Sequence, residues 1–392
     1  MSKRNIALIV SFLLTFLLFL PIFPHRNEET VFNHLLPEEG PVAVDFFGKM
    51  PENGAKSAIV IDSESLSVLY SKNADARLGM ASTTKIMTAL VAIENSYPDD
   101  EFIIPKEAVG IEGSSVYLKE GEPLTIRELL YCLLLESGND AATAIALYCG
   151  KSIDGFAKMM NDRAFELGLE NTHFTNPHGL SDESHYTTAR ELAIITAEAM
   201  KYPLFCEISG TKTVKVRYDG IENGRLLINH NKLLKTYNGA TGGKTGYTKK
   251  DGKCLVSSAE RDGLEIIAVT LGDSSPTSTH TILLDSAFED FQKTELVSKG
   301  ELRSEIPAAN SENTVLSVTN EKGASVCLPK GARFDIELQI PKSITAPIKK
   351  GEIIGKAVCR YGGEQIYIIN IISIENINLK RKSFFERIFE KQ

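Results

Sequence analysis

Ser82-Thr83-Thr84-Lys85 places a hydroxyl and an amine three residues apart, one helical turn, and therefore on one helical face. A serine hydroxyl needs a base before it becomes a useful nucleophile. Lysine can be that base only if burial or a second cation lowers its pKa from about 10.4 toward ~7–8. Two triplets follow in order, Ser137-Gly138-Asn139 and Lys244-Thr245-Gly246. Ser137 could relay a proton to a leaving amine, and the Asn139 amide could orient a substrate. Lys244 is a candidate second cation. With Thr245 it would bind a carboxylate, while Gly246 would leave room for a substrate backbone. Ser82 also opens a helix, where N–H groups favour negative charge on an attacking or carbonyl oxygen.

Each motif has an ordinary reading too. A second Ser-x-x-Lys, Ser209-Gly210-Thr211-Lys212, contains a glycine and leads into an alternating strand, so its side chains share no helical face. Ser137 and Asn139 lie between two helices and would also suit caps. Lys-Thr-Gly before a hairpin suits a plain turn. The weight comes from the order and local contexts of all three. His173, His178 and His185 lack a zinc-protease pattern and read as loop and turn residues, so no metal is expected.

The elements that must hold these residues can be placed from periodicity. Ser57 to Asp62 and Ser67 to Tyr70 read as a hairpin across Ser63-Glu64-Ser65. The helix opening near Ser82 buries Ile86, Leu90 and Ile93 and ends at Pro98. Thr125 with Glu128 is a capping-box pattern, and further helices start near Asp140, Ser152 and Thr188. Strands resume at Thr213; Cys254 to Ala259 and Leu264 to Leu271 flank the Asp262-Gly263 turn, and a helix from His280 to Phe291 follows. Strands at both ends with helices between imply an α/β domain. Its one mostly antiparallel sheet, flanked by helices, is assembled from distant parts of the chain.

At 392 residues with 43% hydrophobic and 24% charged, the chain is an ordinary globular protein of about two domains. Its net charge of −8, with no long basic stripe, argues against a nucleic-acid partner. Lys3 and Arg4 before the apolar run Ile6 to Leu20 mark residues 1–25 as an export signal or retained membrane anchor. Residues 26–55 form an irregular lead-in and 56–293 the catalytic domain. Short strand-like runs over 297–376 suggest a separate small all-β domain. In 379–392, Phe384, Phe385, Ile388 and Phe389 share a helical face beside basic residues, an amphipathic tail suited to a membrane surface. Six cysteines show no C-x-x-C spacing; pairing stays open, and buried free thiols suit the four in apolar segments.

The motif set is that of class A β-lactamases and penicillin-binding proteins, with Gly138 where the general pattern has Asp. Met80 to Ala89, Asn176-Pro177-His178-Gly179-Leu180, His185 to Ala189 and Gly243 to Thr248 resemble the D-alanyl-D-alanine carboxypeptidase family of low-molecular-mass penicillin-binding proteins. The resemblance implies a β-lactamase/transpeptidase-like fold, no cofactor, peptidoglycan stem peptides as substrate and β-lactams as covalent inhibitors. It also implies a place on the outer face of the bacterial cytoplasmic membrane. It makes Ser82 the nucleophile, Lys85 the proton acceptor, Ser137 the second catalytic serine and Lys244 a substrate-binding residue. Asn139, Thr245, Gly246 and Tyr247 complete the expected substrate site, the N–H groups of Ser82 and Tyr247 forming the oxyanion hole. Two alternatives remain at this point, a β-lactamase and a non-catalytic wall-binding protein. No Glu-x-x-x-Asn of the kind that class A β-lactamases carry occurs between Ser137 and Lys244.

Overall fold

Five strands make the sheet that carries the site: β1 (Ser57–Asp62), β2 (Val68–Lys72), β3 (Ala240–Thr248), β4 (Gly252–Arg261) and β5 (Leu264–Leu271). In this computed structural model, which describes residues 38–46, 48–49, 51–217 and 224–380, their order is β2-β1-β5-β4-β3, all antiparallel. The first and last strands of the domain thus meet at the sheet centre, and β3 with Lys244-Thr245-Gly246 is left at an edge. Asp262 and Gly263, with φ of 52° and 77°, make the tight β4–β5 turn. Alternate residues of β1 face opposite ways: Ile59 and Ile61 pack toward the helices, Val60 toward the last helix of the domain. Burial on both faces explains why β1 reads as one continuous apolar run.

Among the described residues, the helices of two turns or more in this domain are α1 (Lys85–Asn95), α2 (Ile126–Leu134), α3 (Asn139–Gly150), α4 (Ile153–Glu166), α5 (Ala189–Met200), α6 (Pro203–Gly210) and α7 (Pro276–Asp290). Thr125 and Glu128 form the full capping box of α2, and Thr188 caps α5 through the Glu191 N–H. α1 is buried on nearly every side, with Ile86, Met87, Ala89, Leu90, Val91 and Ala92 at most 1% exposed. That position fixes the residues at its start. Two helix boundaries differ from expectation. α6 was not foreseen, because Pro203 reads as a stop; here it is the first helical residue, where a missing N–H costs nothing. α7 starts at Pro276, not His280, for the same reason.

The C-terminal part is all β, in a mixed but mainly antiparallel sheet with a separate two-stranded ribbon. Its core includes Leu316, Val318, Cys359, Ile366, Ile369 and Ile371. The seam falls earlier than composition suggests. Strand Phe291–Val297 follows α7 directly and pairs with Ala324–Pro329, so a division at 293 and 297 cuts through it. The lead-in is also not wholly irregular. Gly40 and Pro41 pair with Ile368 and Tyr367 of the β domain, and Phe46 N–H donates to Val68 of the catalytic hairpin. Leu379 forms a bridge with Ser311 rather than starting a helix. The expected export segment, and the tail from residue 381 on, lie outside the described residues. Among the described residues no helix is long and apolar enough to cross a membrane, and all six cysteines are free.

Candidate active site

Ser82 sits in a single 3-10 turn, Ala81–Thr84, which runs straight into α1 at Lys85. Lys85 Nζ donates to Ser82 Oγ at 3.0 Å, to Asn139 Oδ1 at 2.7 Å and to the His178 carbonyl at 2.7 Å. Three acceptors match the three hydrogens of an ammonium; a neutral amine could keep two of these bonds and accept from the serine hydroxyl. Lys85 is 0% exposed. Its pKa is held well below the ordinary lysine value, by burial first and by the Lys244 charge second, with Asp140 opposing. The second-cation expectation for Lys244 therefore holds in direction, but burial is the larger cause.

Ser137 and Asn139 lie where α2 ends and α3 begins. Ser137 has a left-handed backbone, φ 62°, and its buried Oγ has no hydrogen-bond partner among the described residues. Such a hydroxyl, lining a cleft, is free to meet a substrate. Asn139 is more occupied than the sequence suggests. Its Oδ1 accepts from Lys85, its Nδ2 donates to the Glu112 carbonyl, and its N–H donates to Ser114. The amide thus ties the lysine to the 112–118 loop. Next to it, the buried Asp140 carboxylate accepts from Ser115 Oγ at 2.6 Å, Val116 N at 3.0 Å and Leu118 N at 3.1 Å.

Lys244 is 1% exposed, and burial alone pushes its pKa down to about 7. Its Nζ donates to the Thr245 carbonyl at 2.8 Å. Gly246 also has a packing reason to be glycine. A Cβ there would sit 3.0 Å from Ser82 N and 3.1 Å from both Met80 O and Thr83 N. Its absence lets the nucleophile's turn lie against edge strand β3.

One cleft of about 620 Å³ is lined by Ser82, Ser137, Thr245, Gly246 and Tyr247, whose side chain is largely exposed. Lys85, Asn139 and Lys244 stand buried around it. The eight residues singled out in the sequence are thus gathered from one helix start, one inter-helix loop and one edge strand.

The segment 176–180 has a part that motif reading did not assign. The His178 carbonyl accepts from Lys85 and lies 3.5 Å from Ser82 Oγ. Asn176 holds that turn: its Oδ1 accepts from Gly179 N at 2.7 Å and its Nδ2 donates to Leu180 O at 3.0 Å. Gly179, at φ +84°, packs so tightly that a Cβ would come within 1.9 Å of Ala81 O. The glycine after a histidine was the available signal. Burial pushes the His178 imidazole down to about 3 and His185 down to about 4, so both are neutral. His185 bonds Thr84 Oγ1 through Nε2 and accepts from Thr175 N through Nδ1. His173 bonds the Ser184 carbonyl.

The family model described as D-alanyl-D-alanine carboxypeptidase matches residues 46–275, more than half of the chain. The chain belongs to the D-alanyl-D-alanine carboxypeptidase family. Membership makes it a serine-type hydrolase with cell-wall function. A second family model, the penicillin-binding protein 5 C-terminal domain, matches residues 291–378 of this carboxypeptidase. D-alanyl-D-alanine carboxypeptidase DacF of Bacillus subtilis is 35% identical over 321 residues, covering 79% of this chain and 82% of that one. DacC of Escherichia coli is 29% identical over 358 residues, covering 87% and 88%. Penicillin-binding protein 5 from Haemophilus influenzae superposes with a TM-score of 0.72 at 27% identity, covering 84% of this chain and 99% of that one.

Proposed function

We propose that the enzyme removes the terminal D-alanine of peptidoglycan stem peptides through an acyl-enzyme on Ser82. The observation that carries this reading is the 3.0 Å contact between Ser82 Oγ and a fully buried Lys85 of lowered pKa. Neutral Lys85 takes the hydroxyl proton as Ser82 Oγ bonds to the D-Ala–D-Ala carbonyl carbon. The carbonyl oxygen becomes an oxyanion beside the N–H groups of Ser82 and Tyr247. Collapse breaks the C–N bond, and the leaving amine of D-alanine takes, through Ser137 Oγ, the proton that Lys85 had accepted from Ser82, which returns Lys85 to its neutral form. Water then hydrolyses the ester. Lys244 and Thr245 hold the terminal carboxylate, while Asn139 and the His178 carbonyl keep Lys85 aimed at Ser82.

β-Lactams imitate the same dipeptide and would acylate Ser82. The C-terminal domain match and the absent Glu-x-x-x-Asn favour this reading over a β-lactamase. The basic-then-apolar start of the chain and its amphipathic end support export and work at the membrane's outer face.

The test is release of D-alanine from diacetyl-L-Lys-D-Ala-D-Ala. Wild type should turn it over, and Ser82→Ala should lose activity by at least about 10³-fold. Equal turnover by the two proteins would remove Ser82 from the mechanism.

A further inference from the structure

The cleft has an electrostatic character that the overall chain lacks. Net charge is −8, yet among the described residues no Asp or Glu lines the cleft, while Lys232 and Lys253 do. Neither lysine is in an ion pair among the described residues. The two lysines mark opposite ends. Asn231, next to Lys232, donates to the Gly242 carbonyl, while Lys253 stands opposite Tyr247 in the β3–β4 ladder. Five residues of strand separate those levels, roughly 16 Å.

Substrate direction follows from the proposed roles. With the terminal carboxylate on Lys244 and Thr245, and the reacting carbonyl at Ser82 beside Gly246, the upstream peptide passes Tyr247. The side group of the residue preceding the D-Ala pair then comes to the Lys253 end. There Lys253 Nζ donates to the Ser274 carbonyl at 2.8 Å, which uses one of its three hydrogens and fixes the head. The hydroxyl residues Ser274, Ser275, Thr277 and Ser278 line the same end. Two carboxylates lie nearby and both are engaged: Asp251, two residues before Lys253, accepts from Ser181 Oγ through Oδ2, and Asp273 is buried with its Oδ1 accepting from Ser275 N. This corner is equipped to donate hydrogen bonds to an anion.

We infer that Lys253 is a specificity residue that reads a carboxylate on the side group of the residue immediately upstream of the D-Ala pair. The inference rests on the acyl-enzyme reading above and names its substrate class: stems whose third residue from the C-terminus is acidic. Lys253 touches the substrate but none of the reacting atoms. It should therefore act on KM more than on kcat.

The experiment compares acetyl-L-Glu-D-Ala-D-Ala with acetyl-L-Gln-D-Ala-D-Ala, which match in shape and differ in charge. Wild type should favour the Glu peptide in kcat/KM by about fivefold, the scale of one solvent-accessible charge pair. That preference should fade as ionic strength rises from about 0.05 to about 0.5 M, with the Gln peptide little affected. Lys253→Met should abolish the preference and Lys253→Arg should restore it. Equal use of both peptides by wild type, or a preference that survives in Lys253→Met, would overturn the inference. If wild type releases D-alanine from neither these peptides nor diacetyl-L-Lys-D-Ala-D-Ala, the proposed function fails instead.

Discussion

Lys85 Nζ stands 3.0 Å from Ser82 Oγ, and no part of the lysine is exposed to solvent. Two opposed influences meet on that amine. Three hydrogen-bond acceptors favour its charged form, while burial and the charge of Lys244 favour the neutral one. The second pair prevails, which is the state a general base requires.

The pH profile of acylation should report this balance. Neutral Lys85 is competent, so the rate rises with pH through the Lys85 pKa and is lost as pH falls below it. Lys244→Gln removes a depressing charge, so the Lys85 pKa climbs and the acidic limb moves to higher pH. Asp140→Asn removes an opposing charge and should move the limb to lower pH. Because Lys244 itself is pushed down to about 7, its effect should be confined to pH values at or below ~7. The check is the second-order rate of labelling by a fluorescent penicillin across pH. Limbs displaced in the same direction by both variants would contradict the assignment.

Gly179→Ala should be far more damaging than its size suggests. The new Cβ meets Ala81 O at 1.9 Å from a backbone at φ +84°, and relief of the clash must displace either the nucleophile's turn or the His178 carbonyl. A loss of ~2–4 kcal/mol in stability, or at least about tenfold in acylation rate, is expected. Gly168→Ala is the control: φ is +73°, but nothing lies within 4 Å of the added Cβ. It should cost only the backbone penalty, about 1 kcal/mol. Urea melts of both variants make the comparison, and equal losses would mean that the contact with Ala81 is immaterial.

Local signals were readable in this chain because their partners are close in sequence. The Thr125–Glu128 capping box, the Asp262-Gly263 turn and the one-turn spacing of Ser82 and Lys85 all close within a few residues. Other features depend on partners that sequence does not bring near. The bond from Lys85 to Asn139 spans 54 residues, so Asn139 read as a substrate contact when it also anchors the base. The His178 contribution comes from a main-chain carbonyl, which leaves no side-chain signature. Pairing of Gly40 and Pro41 with a strand more than three hundred residues away has no local pattern at all. Proline misled at Pro203, because the residue that stops one helix also suits the first position of the next.

Acid should destabilise the fold through buried neutral histidines. His280 is fully buried between Ser257 Oγ and Thr270 Oγ1, and burial pushes its pKa down to about 3. The unfolded chain binds that proton near pH 6.5 and the native state does not. Stability is therefore complete above ~6.5 and falls as pH drops toward about 3, at about 1.4 kcal/mol per pH unit for this group. His280→Gln should flatten the slope of unfolding free energy against pH by about one proton. An unchanged slope would show that His280 titrates normally.

The central claim is tested most directly by reacting the protein with benzylpenicillin and mapping the adduct by peptide mass spectrometry. One penicilloyl group on Ser82, absent in Ser82→Ala, is the predicted result. An adduct on Ser137 in wild type, or undiminished labelling of Ser82→Ala, would contradict it.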